Sequence, residues 1–468
     1  MFKFMHVQRP VDPKSLGTTT PERLGAAVQG ASAQKDAQKN SCRGSFEAHR
    51  CRGGWPAREC GPEELPGAAR GLRDVLDLPE GGARPPAASS IASDVRQLAE
   101  KYGKELAACG ALSAELSAYV AFAEALSAAL AEAVAGRGAA AVPAELYAHG
   151  AGAGMLCYPS AFLRELGERL AGYDWAAAPG ADLLGQAYRQ IVQKEVRKKF
   201  GEFYTPDWII RLILWRALHL LVRGRLPDRA LPHSDAEADR EVVELIDEHY
   251  RSRGAVPSFV DPTCGSFAFG VRYIDALIRW RREKGRVRPT ELAEEVLAGV
   301  AGIEVNPVAA AAAKANYLLQ LYRLLGGARL PRRPDPPILN LDLLRLERPP
   351  RRFDLVAGNL PWINASALPA DRREAAKDAA RRLGVLPPGP AAGKMDLSIP
   401  LFAAALTRLA ESGGVAALMV PATIFRGVHG AKWRELLARH HLAEVWDLTG
   451  VKPFEDAEGQ PGIVFLRK

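Results

Sequence analysis

The chain has 468 residues, 48% of them hydrophobic and 25% charged, which is typical of a globular protein with two or three domains. No run of about 18 apolar residues occurs and the first residues lack the apolar core of a signal peptide, so we expect no membrane partner and a cytoplasmic location. The formal net charge of +8 fits a polyanionic partner, although a coding bias towards arginine would explain it equally well.

Residues 1–90 are rich in Gly, Ala, Pro, Arg and Ser and show neither helical nor strand periodicity. Such a segment cannot bury enough apolar surface to fold alone, so we predict a disordered arm. Its arginines could contact DNA phosphates, but a passive tail is the simpler interpretation. Cys42, Cys51 and Cys60 are spaced nine residues apart, which matches no common zinc pattern, and we expect them to be reduced.

Residues 91–200 are predicted to form a helical domain. Apolar residues such as Leu98, Tyr102 and Leu106 recur at helical spacing in an Ala-rich background, which predicts two or three helices before Gly136. Further helices are predicted over 161–170 and 181–199, the second with a basic end. Both a scaffold and a lobe that clamps DNA fit this domain, because a run of charge is also common on a solvated helix face.

A turn formed by Tyr204, Thr205 and Pro206 follows the helical domain. Thr is a favourable N-cap and Pro a favourable first helical residue, so the turn predicts a helix over 207–221 capped by Thr205. Residues 222–256 are predicted to be a polar, helical insertion in which no motif indicates chemistry.

A loop of small residues comes next. A short strand at 258–261 ends at Asp261, and Cys264, Gly265 and Ser266 follow before a helix at 271–282. Small residues let a backbone approach a ligand closely, and a helix N-terminus presents free N–H groups, so the loop is a candidate ligand site. The Gly-x-Gly-x-x-Gly pattern of dinucleotide-binding proteins is absent. The alternative is a turn that binds nothing.

Two further strand ends carry acids. After a basic loop at 281–290, a strand over 297–303 leads to Glu304 and Asn306, and a carboxylate at this position can accept hydrogen bonds from both ribose hydroxyls. A helix over 309–325 and a third strand leading to Asp342 follow. Taken alone, Glu304 would be a solvated acid and Asp342 a helix cap.

The fourth strand carries the residues on which the functional prediction depends. The apolar run 355–357 leads into Asn359, Leu360, Pro361 and Trp362. An exocyclic purine amine is a poor nucleophile, and two acceptors, the side chain of Asn359 and the carbonyl of residue 360, would favour its attacking geometry. The ring of Trp362 offers a stacking surface for a base turned out of a duplex, worth roughly 1–3 kcal/mol.

The remaining elements complete an α/β pattern. Residues 366–393 are rich in Ala, Arg and Pro with one helix over 371–383, and a long loop beside a strand end is often a lid. Lys394 and Asp396 precede a helix over 398–409, although Asp396 is equally well explained as a plain helix start. Strands at 415–420, 442–448 and 462–466 bring the count to seven.

This series of motifs resembles the N6-adenine-specific DNA methyltransferases, above all type I modification subunits and type IIG methylases, over residues 182–468. The catalytic loop is similar to their Asn-Pro-Pro-Tyr/Trp motif with Leu360 in place of the first Pro. The glycine loop is similar to their Asp-Pro-x-Cys-Gly-Ser-Gly motif with Phe267 in place of the last Gly. The resemblance implies a Rossmann-like seven-stranded methyltransferase sheet with an antiparallel seventh strand, formed by residues 201–468.

The resemblance also implies a role for each candidate residue. Catalysis is expected from Asn359, Leu360, Pro361 and Trp362, and a target-base pocket from Trp362, Lys394 and Asp396. No metal is expected, because the sulfonium of S-adenosylmethionine is already an activated methyl donor. That cofactor is expected to contact Tyr204, Thr205, Pro206, Asp261, Cys264, Gly265, Ser266, Glu304, Asn306 and Asp342.

The expected function is methyl transfer to the N6 amine of adenine in double-stranded DNA, in a restriction-modification or phage-defence system. Because no residues follow the last strand, we expect the recognition sequence to be read by a separate specificity subunit or a missing C-terminal domain. A nuclease partner also fits this setting. Two alternatives stay open: a protein-glutamine or RNA-base methyltransferase, and a catalytically inactive fragment that binds cofactor or DNA.

Overall fold

The computed structural model describes residues 84–108, 112–135, 158–192, 204–229, 231–448 and 460–468. Most of the predicted arm, with its three evenly spaced cysteines, lies outside these ranges, as does the basic stretch 194–199. The predicted boundary at residue 90 falls inside a helix, because α1 begins at Ala88. In the described part of the N-terminal region the helices are α1 (Ala88–Lys101), α2 (Gly103–Ala108), α3 (Ala114–Val134), α4 (Ser160–Ala171) and α5 (Leu183–Ile191).

Helix α3 is the centre of this helical lobe. Ser113 caps it by accepting a hydrogen bond from the Leu116 amide, and apolar residues cover nearly its whole circumference. By length and composition alone α3 could cross a membrane, but 72% of its apolar window is buried inside the protein. A helix that is apolar all round and surrounded by protein is a core helix.

The α/β part begins with two long helices and alternates thereafter. Its helices are α6 (Asp207–Arg223), α7 (Asp235–Arg253), α8 (Ala268–Lys284), α9 (Pro289–Gly299), α10 (Pro307–Leu325), α11 (Ala370–Arg382), α12 (Ser398–Ala404), α13 (Thr423–Arg426) and α14 (Ala431–Leu437). Its strands are β1 (Phe259–Asp261), β2 (Val300–Glu304), β3 (Ile338–Asn340), β4 (Phe353–Asn359), β5 (Ala410–Pro421), β6 (His441–Asp447) and β7 (Pro461–Arg467).

The described strands form one sheet in the order β3-β2-β1-β4-β5-β7-β6. Strands β1 to β5 are parallel, and β7 lies antiparallel between β5 and β6. The prediction of a seven-stranded sheet with an antiparallel seventh strand is therefore confirmed. The helical lobe packs on this sheet unit through α3, which lies along α10.

The sheet separates two hydrophobic cores, as the alternation of side chains along a strand requires. In β4, Leu355 and Ala357 face the core that includes α3, α6, α8 and α10, while Val356 faces the core that includes α11 and α12. Both faces of the strand are buried, which is typical of a central parallel strand.

The predicted start of β2 was wrong. Residues 297–299 belong to the end of α9, not to a strand, and part of the predicted basic loop at 281–290 is the start of the same helix. Pro289 is the first helical residue, and the Glu291 side chain accepts a hydrogen bond from the Arg288 amide. Pro289 and Glu291 signal the start of a helix, but that helix is short and only partly apolar. Its last residues are apolar, and in the sequence they resembled the start of a strand.

Candidate active site at the strand ends

Three strand ends meet at one edge of the sheet. Strand β1 lies between β2 and β4, and all three run in the same direction, so Asp261, Glu304 and Asn359 end at the same edge. Beside them is a cavity of about 1200 Å³. The carboxyl ends of parallel strands are where ligands bind in open α/β sheets. Candidate residues that line the cavity are Tyr204, Gly265, Ser266, Glu304, Asn306, Asp342, Asn359, Leu360 and Pro361.

Glu304 connects the second strand end to the glycine loop. Its Oε2 accepts a hydrogen bond of 2.8 Å from the Gly265 amide, and its Oε1 accepts one of 2.7 Å from the Asn306 amide. Gly265 has a positive φ of 53°, and a Cβ built on it would meet no atom within 4 Å. The loop therefore leaves open space above the glycine, while a largely buried carboxylate fixes its backbone.

Asp261 and Cys264 lie beneath the cavity and do not line it. Both are buried, and burial raises the pKa of the Asp261 carboxyl and of the Cys264 thiol well above their usual values, with nearby carboxylates adding to the shift. Asp261 accepts a hydrogen bond from the Thr263 amide at 3.2 Å. Their positions support the loop from below, and contact of either side chain with a cofactor stays a prediction.

Phe267 retains the backbone conformation of the glycine it replaces. Its φ is 76°, the only positive φ outside glycine in the described residues. Its ring is buried and stacks on Tyr317 with 5.4 Å between ring centroids. The ring also fills the space beside Gly270, where a Cβ would lie 2.0 Å from it. The substitution thus places a ring in the core without occupying the cavity.

Ser266 connects the glycine loop to the helical lobe. Its hydroxyl hydrogen-bonds Asp182, the N-cap of α5, and Asn316 donates to both Asp182 Oδ1 and the Ser266 carbonyl at 2.7 and 2.8 Å. Asp182 is buried, and burial raises its pKa although Ser266, the Gly185 amide and Asn316 all lower it. This network ties three distant segments together under the cavity.

Asn359 is the last residue of β4, and its side chain contacts the Tyr204–Pro206 turn. Its Nδ2 donates to Thr205 Oγ1 at 3.1 Å. Its Oδ1 is buried, and among the described residues no hydrogen-bond donor reaches it. Thr205 was predicted to cap α6, but α6 begins at Asp207 after Pro206, and no side chain caps it. The Thr205 hydroxyl instead supports the amide of Asn359.

The backbone around Asn359 is firmly held. The Asn359 carbonyl accepts a hydrogen bond from the Thr263 hydroxyl at 3.1 Å, and the Leu360 amide donates to the Met419 carbonyl at 3.2 Å. Leu360 is buried, and both it and Pro361 line the cavity. A leucine at 360 therefore still presents its main chain at the strand end, because proline would differ there only in a fixed φ and a missing N–H.

Asp342 combines the two roles that were predicted for it as alternatives, and Asn306 is placed in a similar way. Asn306 caps α10 by accepting a hydrogen bond from the Val308 amide at 3.0 Å, and Asp342 accepts one from the Leu344 amide at 2.9 Å. Both side chains also lie on the cavity wall. A capping role and a ligand-facing position are thus compatible at the ends of β2 and β3.

Three residues of the predicted target-base pocket lie away from the cavity wall. Trp362 is half-buried against the core that includes α6, and Lys394 is exposed. Asp396 accepts a hydrogen bond from the Ser398 amide at 2.9 Å and starts α12, and burial raises its pKa to about 6. Leu397, from the same segment, does line the cavity. The roles of Trp362, Lys394 and Asp396 stay predictions.

No family model matches the chain, and no curated protein is significantly similar in sequence. Among solved structures, the chain is similar to a protein assigned as a class I S-adenosylmethionine-dependent methyltransferase from Listeria monocytogenes, with a TM-score of 0.45 and 16% identity over 81% of this chain and 87% of that one. A modification subunit assigned to a type I restriction enzyme of Vibrio vulnificus gives a TM-score of 0.44 and 14% identity, with 83% of each chain covered.

A third neighbour is a nuclease-deletion mutant of the type ISP restriction-modification enzyme LlaGI, solved with a DNA substrate mimic. The TM-score is 0.48 and the identity 12%; the match covers 87% of this chain but only 36% of that one.

Sequence reasoning missed the cationic residues of the cavity wall, Arg189, Arg345, Arg372 and Arg382. The guanidinium of Arg189, on α5, lies 3.6 Å from the centroid of the Tyr204 ring. Burial raises the pKa of Tyr204 to about 12, and the nearby Asp182 adds to this shift while Arg189 opposes it. Arg189 also interacts electrostatically with the buried Asp182. The only signal for Arg189 in the sequence was its position within the segment 182–206.

Proposed function

We propose that this chain binds S-adenosylmethionine and methylates an exocyclic amine, namely N6 of adenine in DNA, as part of a restriction-modification or phage-defence system. The observation that carries the proposal is the Oδ1 atom of Asn359. It is buried, it has no donor among the described residues, and it stands at the strand end beside a large cavity. A buried acceptor without a partner is costly, by roughly 1–3 kcal/mol, unless a ligand supplies the donor.

The cavity residues fit the cofactor that the motifs imply. The Glu304 carboxylate, held by the Gly265 and Asn306 amides, lies on the cavity wall at the end of β2, where a carboxylate can accept hydrogen bonds from ribose hydroxyls. The open space above Gly265 accommodates a ligand at the glycine loop. Arg189 supplies a positive charge for the carboxylate of the amino-acid portion, and Asp342 an acceptor for the adenine amine. When bound, the cofactor supplies a methyl group on a sulfonium, a good leaving group.

The residues of the chain act on the amine that receives the methyl group. Asn359 Oδ1 and the carbonyl of Leu360 would accept hydrogen bonds from the two amine hydrogens, which localises the nitrogen lone pair for attack. The donor, when bound, would supply its methyl group to this nitrogen and leave as the thioether, and the amine would release one proton to solvent. The uncharged thioether S-adenosylhomocysteine and the N-methylated base are the products.

Size and charge support DNA as the substrate. A cavity of about 1200 Å³ exceeds the roughly 300–1,000 Å³ that is usual for one small ligand, so it has room for a cofactor and a base turned out of the duplex. The net charge of +8 favours a polyanion. We further propose that a specificity partner reads the DNA sequence and that any nuclease is a separate partner.

The test compares two asparagines of the same loop. Asn359→Ala should reduce transfer of labelled methyl to mixed-sequence DNA by at least about 100-fold, while calorimetry shows S-adenosylhomocysteine binding within about twofold of wild type. Asn364→Ala, the same chemical change five residues later on an exposed residue, should keep its rate within about threefold. Equal rates for Asn359→Ala and wild type would refute the role of the amide.

The same assay separates the alternatives. Labelled N6-methyladenine in digested DNA is the expected product. Label in ribosomal fractions but not in DNA would select a protein-glutamine or RNA-base methyltransferase. Binding of S-adenosylhomocysteine without transfer to any of these acceptors would select an inactive cofactor-binding fragment.

A further inference from the structure

The helix α11 forms one wall of the cavity and carries its charges on distinct faces. Its small residues Ala376, Ala379 and Ala380 are buried against the core beside β4 and β5. Arg372 and Arg382 are exposed and line the cavity. Among the described residues neither arginine forms a salt bridge; Asp378, which lines the same wall, pairs with Arg381 instead.

Two other cations of α11 differ in this respect. Lys377 pairs with Glu374 at 2.9 Å, and Arg381 pairs with Asp378, each within one turn of the helix. Such pairs are common on a solvated helix face. Lys377 and Arg381 therefore provide a comparison for the two arginines at the cavity.

The spacing of Arg372 and Arg382 matches an extended anion. Ten residues of α-helix span about 15 Å, which is the rise of roughly four phosphates along one strand of B-form DNA. The same ten residues turn the helix by about 280°, so the two arginines project about 80° apart, on one half of the helix. Lys377 and Arg381 project at least about 100° away from both.

We propose that Arg372 and Arg382 bind phosphates of the target strand on either side of the nucleotide that enters the cavity. This inference rests on the proposed function, and it assigns α11 as the wall that holds the strand while the base is extruded. A planar guanidinium matches a phosphate in a two-pronged hydrogen bond, and it stays charged in any physiological condition. The cofactor has no phosphate, and its one anionic group, the carboxylate of the amino-acid portion, is assigned above to Arg189.

The test measures how salt weakens DNA binding. A fluorescein-labelled mixed-sequence duplex is titrated with the full chain and saturating S-adenosylhomocysteine at roughly 50–200 mM KCl, and log K is plotted against log [KCl]. The double variant Arg372→Gln/Arg382→Gln should reduce the slope by about two and weaken binding about fivefold for each arginine lost. The matched control Lys377→Gln/Arg381→Gln removes the same charge from the same helix and should leave the slope within about half a unit.

Each outcome decides the matter. If both double variants lower the slope equally, DNA senses only the net charge of the chain and the inference is wrong. If neither changes it, the strand lies elsewhere, and the proposed function survives as long as wild type transfers methyl groups. If the wild-type chain neither binds nor methylates DNA, the proposed function fails and this inference fails with it. Calorimetry with S-adenosylhomocysteine shows that each variant is folded.

Discussion

Gly358, the residue before Asn359, has no room for a side chain. A Cβ at this position would lie 2.3 Å from Asp261 Oδ1 and 3.0 Å from Asp261 Cγ, whereas ordinary contacts begin at 3.4 Å. Asp261 is buried at the end of the neighbouring strand and cannot move into solvent. Gly358→Ala must therefore push the ends of β1 and β4 apart by about 1.1 Å, the difference between 3.4 and 2.3 Å.

This displacement should affect activity more than stability. Overpacking of a buried site typically costs about 1–3 kcal/mol, which urea unfolding of the variant would report as a lower free energy of unfolding. A shift of about 1 Å in a group that positions the substrate can reduce the rate about 100-fold. Methyl transfer should therefore fall about 100-fold, and S-adenosylhomocysteine should bind within about tenfold of wild type, because Glu304 and Gly265 are on other elements.

Two controls isolate the clash. Gly299→Ala, at the end of α9, would place its Cβ 3.7 Å from the nearest atom, and it should change the free energy of unfolding by less than about 1 kcal/mol. Asp261→Ala removes the oxygen that a Cβ at position 358 would contact too closely. The double variant Gly358→Ala/Asp261→Ala should therefore lose less free energy of unfolding than the two single variants lose together, by at least about 1 kcal/mol. Additivity within about 0.5 kcal/mol would contradict the reasoning.

Two further predictions concern charge. Burial raises the pKa of Glu124 to about 8, and both its carboxylate oxygens lack a hydrogen-bond partner in the described residues. Because the pKa of Glu124 is higher in the folded state than in the unfolded chain, protonation of this carboxyl favours the folded state. Its contribution to the free energy of unfolding is complete below about pH 4.5 and is lost as the pH rises to about 8. Wild type should lose stability relative to Glu124→Gln by about 4–5 kcal/mol across this range in parallel urea titrations, and identical pH profiles would contradict the assignment. Arg189→Gln should weaken binding of S-adenosylhomocysteine about tenfold but leave 5′-methylthioadenosine, which lacks the amino-acid carboxylate, within about twofold; an equal loss for both ligands would show that Arg189 only supports the Tyr204 ring.

The sheet could be predicted from sequence because each strand is a short apolar run that ends in a turn. Buried parallel strands such as β4 are apolar on both faces, so their runs are continuous and easy to find. The start of β2 was misplaced because α9 ends in apolar residues that continue into the strand without a break. Periodicity over so few residues does not separate a buried helix end from a strand.

The convergence of Gly265, Glu304 and Asn359 was predictable for a similar reason. Once three strands are parallel neighbours, their carboxyl ends share an edge whatever the loops do. Contacts between segments far apart in sequence were not predictable. Asn316 is 134 residues from Asp182, and neither residue stands in a periodic pattern that would indicate the other. The orientation of Trp362 away from the cavity wall likewise depends on packing against α6, which the loop sequence does not encode.

The helical lobe and the turn before α6 take part in the site through two hydrogen-bonded contacts. Asp182 holds the glycine loop through Ser266, and Thr205 holds the amide of Asn359. A threonine hydroxyl can accept from Nδ2 or donate to Oδ1, so it does not by itself determine which end of the amide faces the cavity. In the proposed reaction the target amine would offer only donors in that direction, and it would select the orientation in which Oδ1 faces the cavity and Thr205 accepts. The proposed substrate would thus complete the site, which depends on residues that precede the sheet by more than fifty positions.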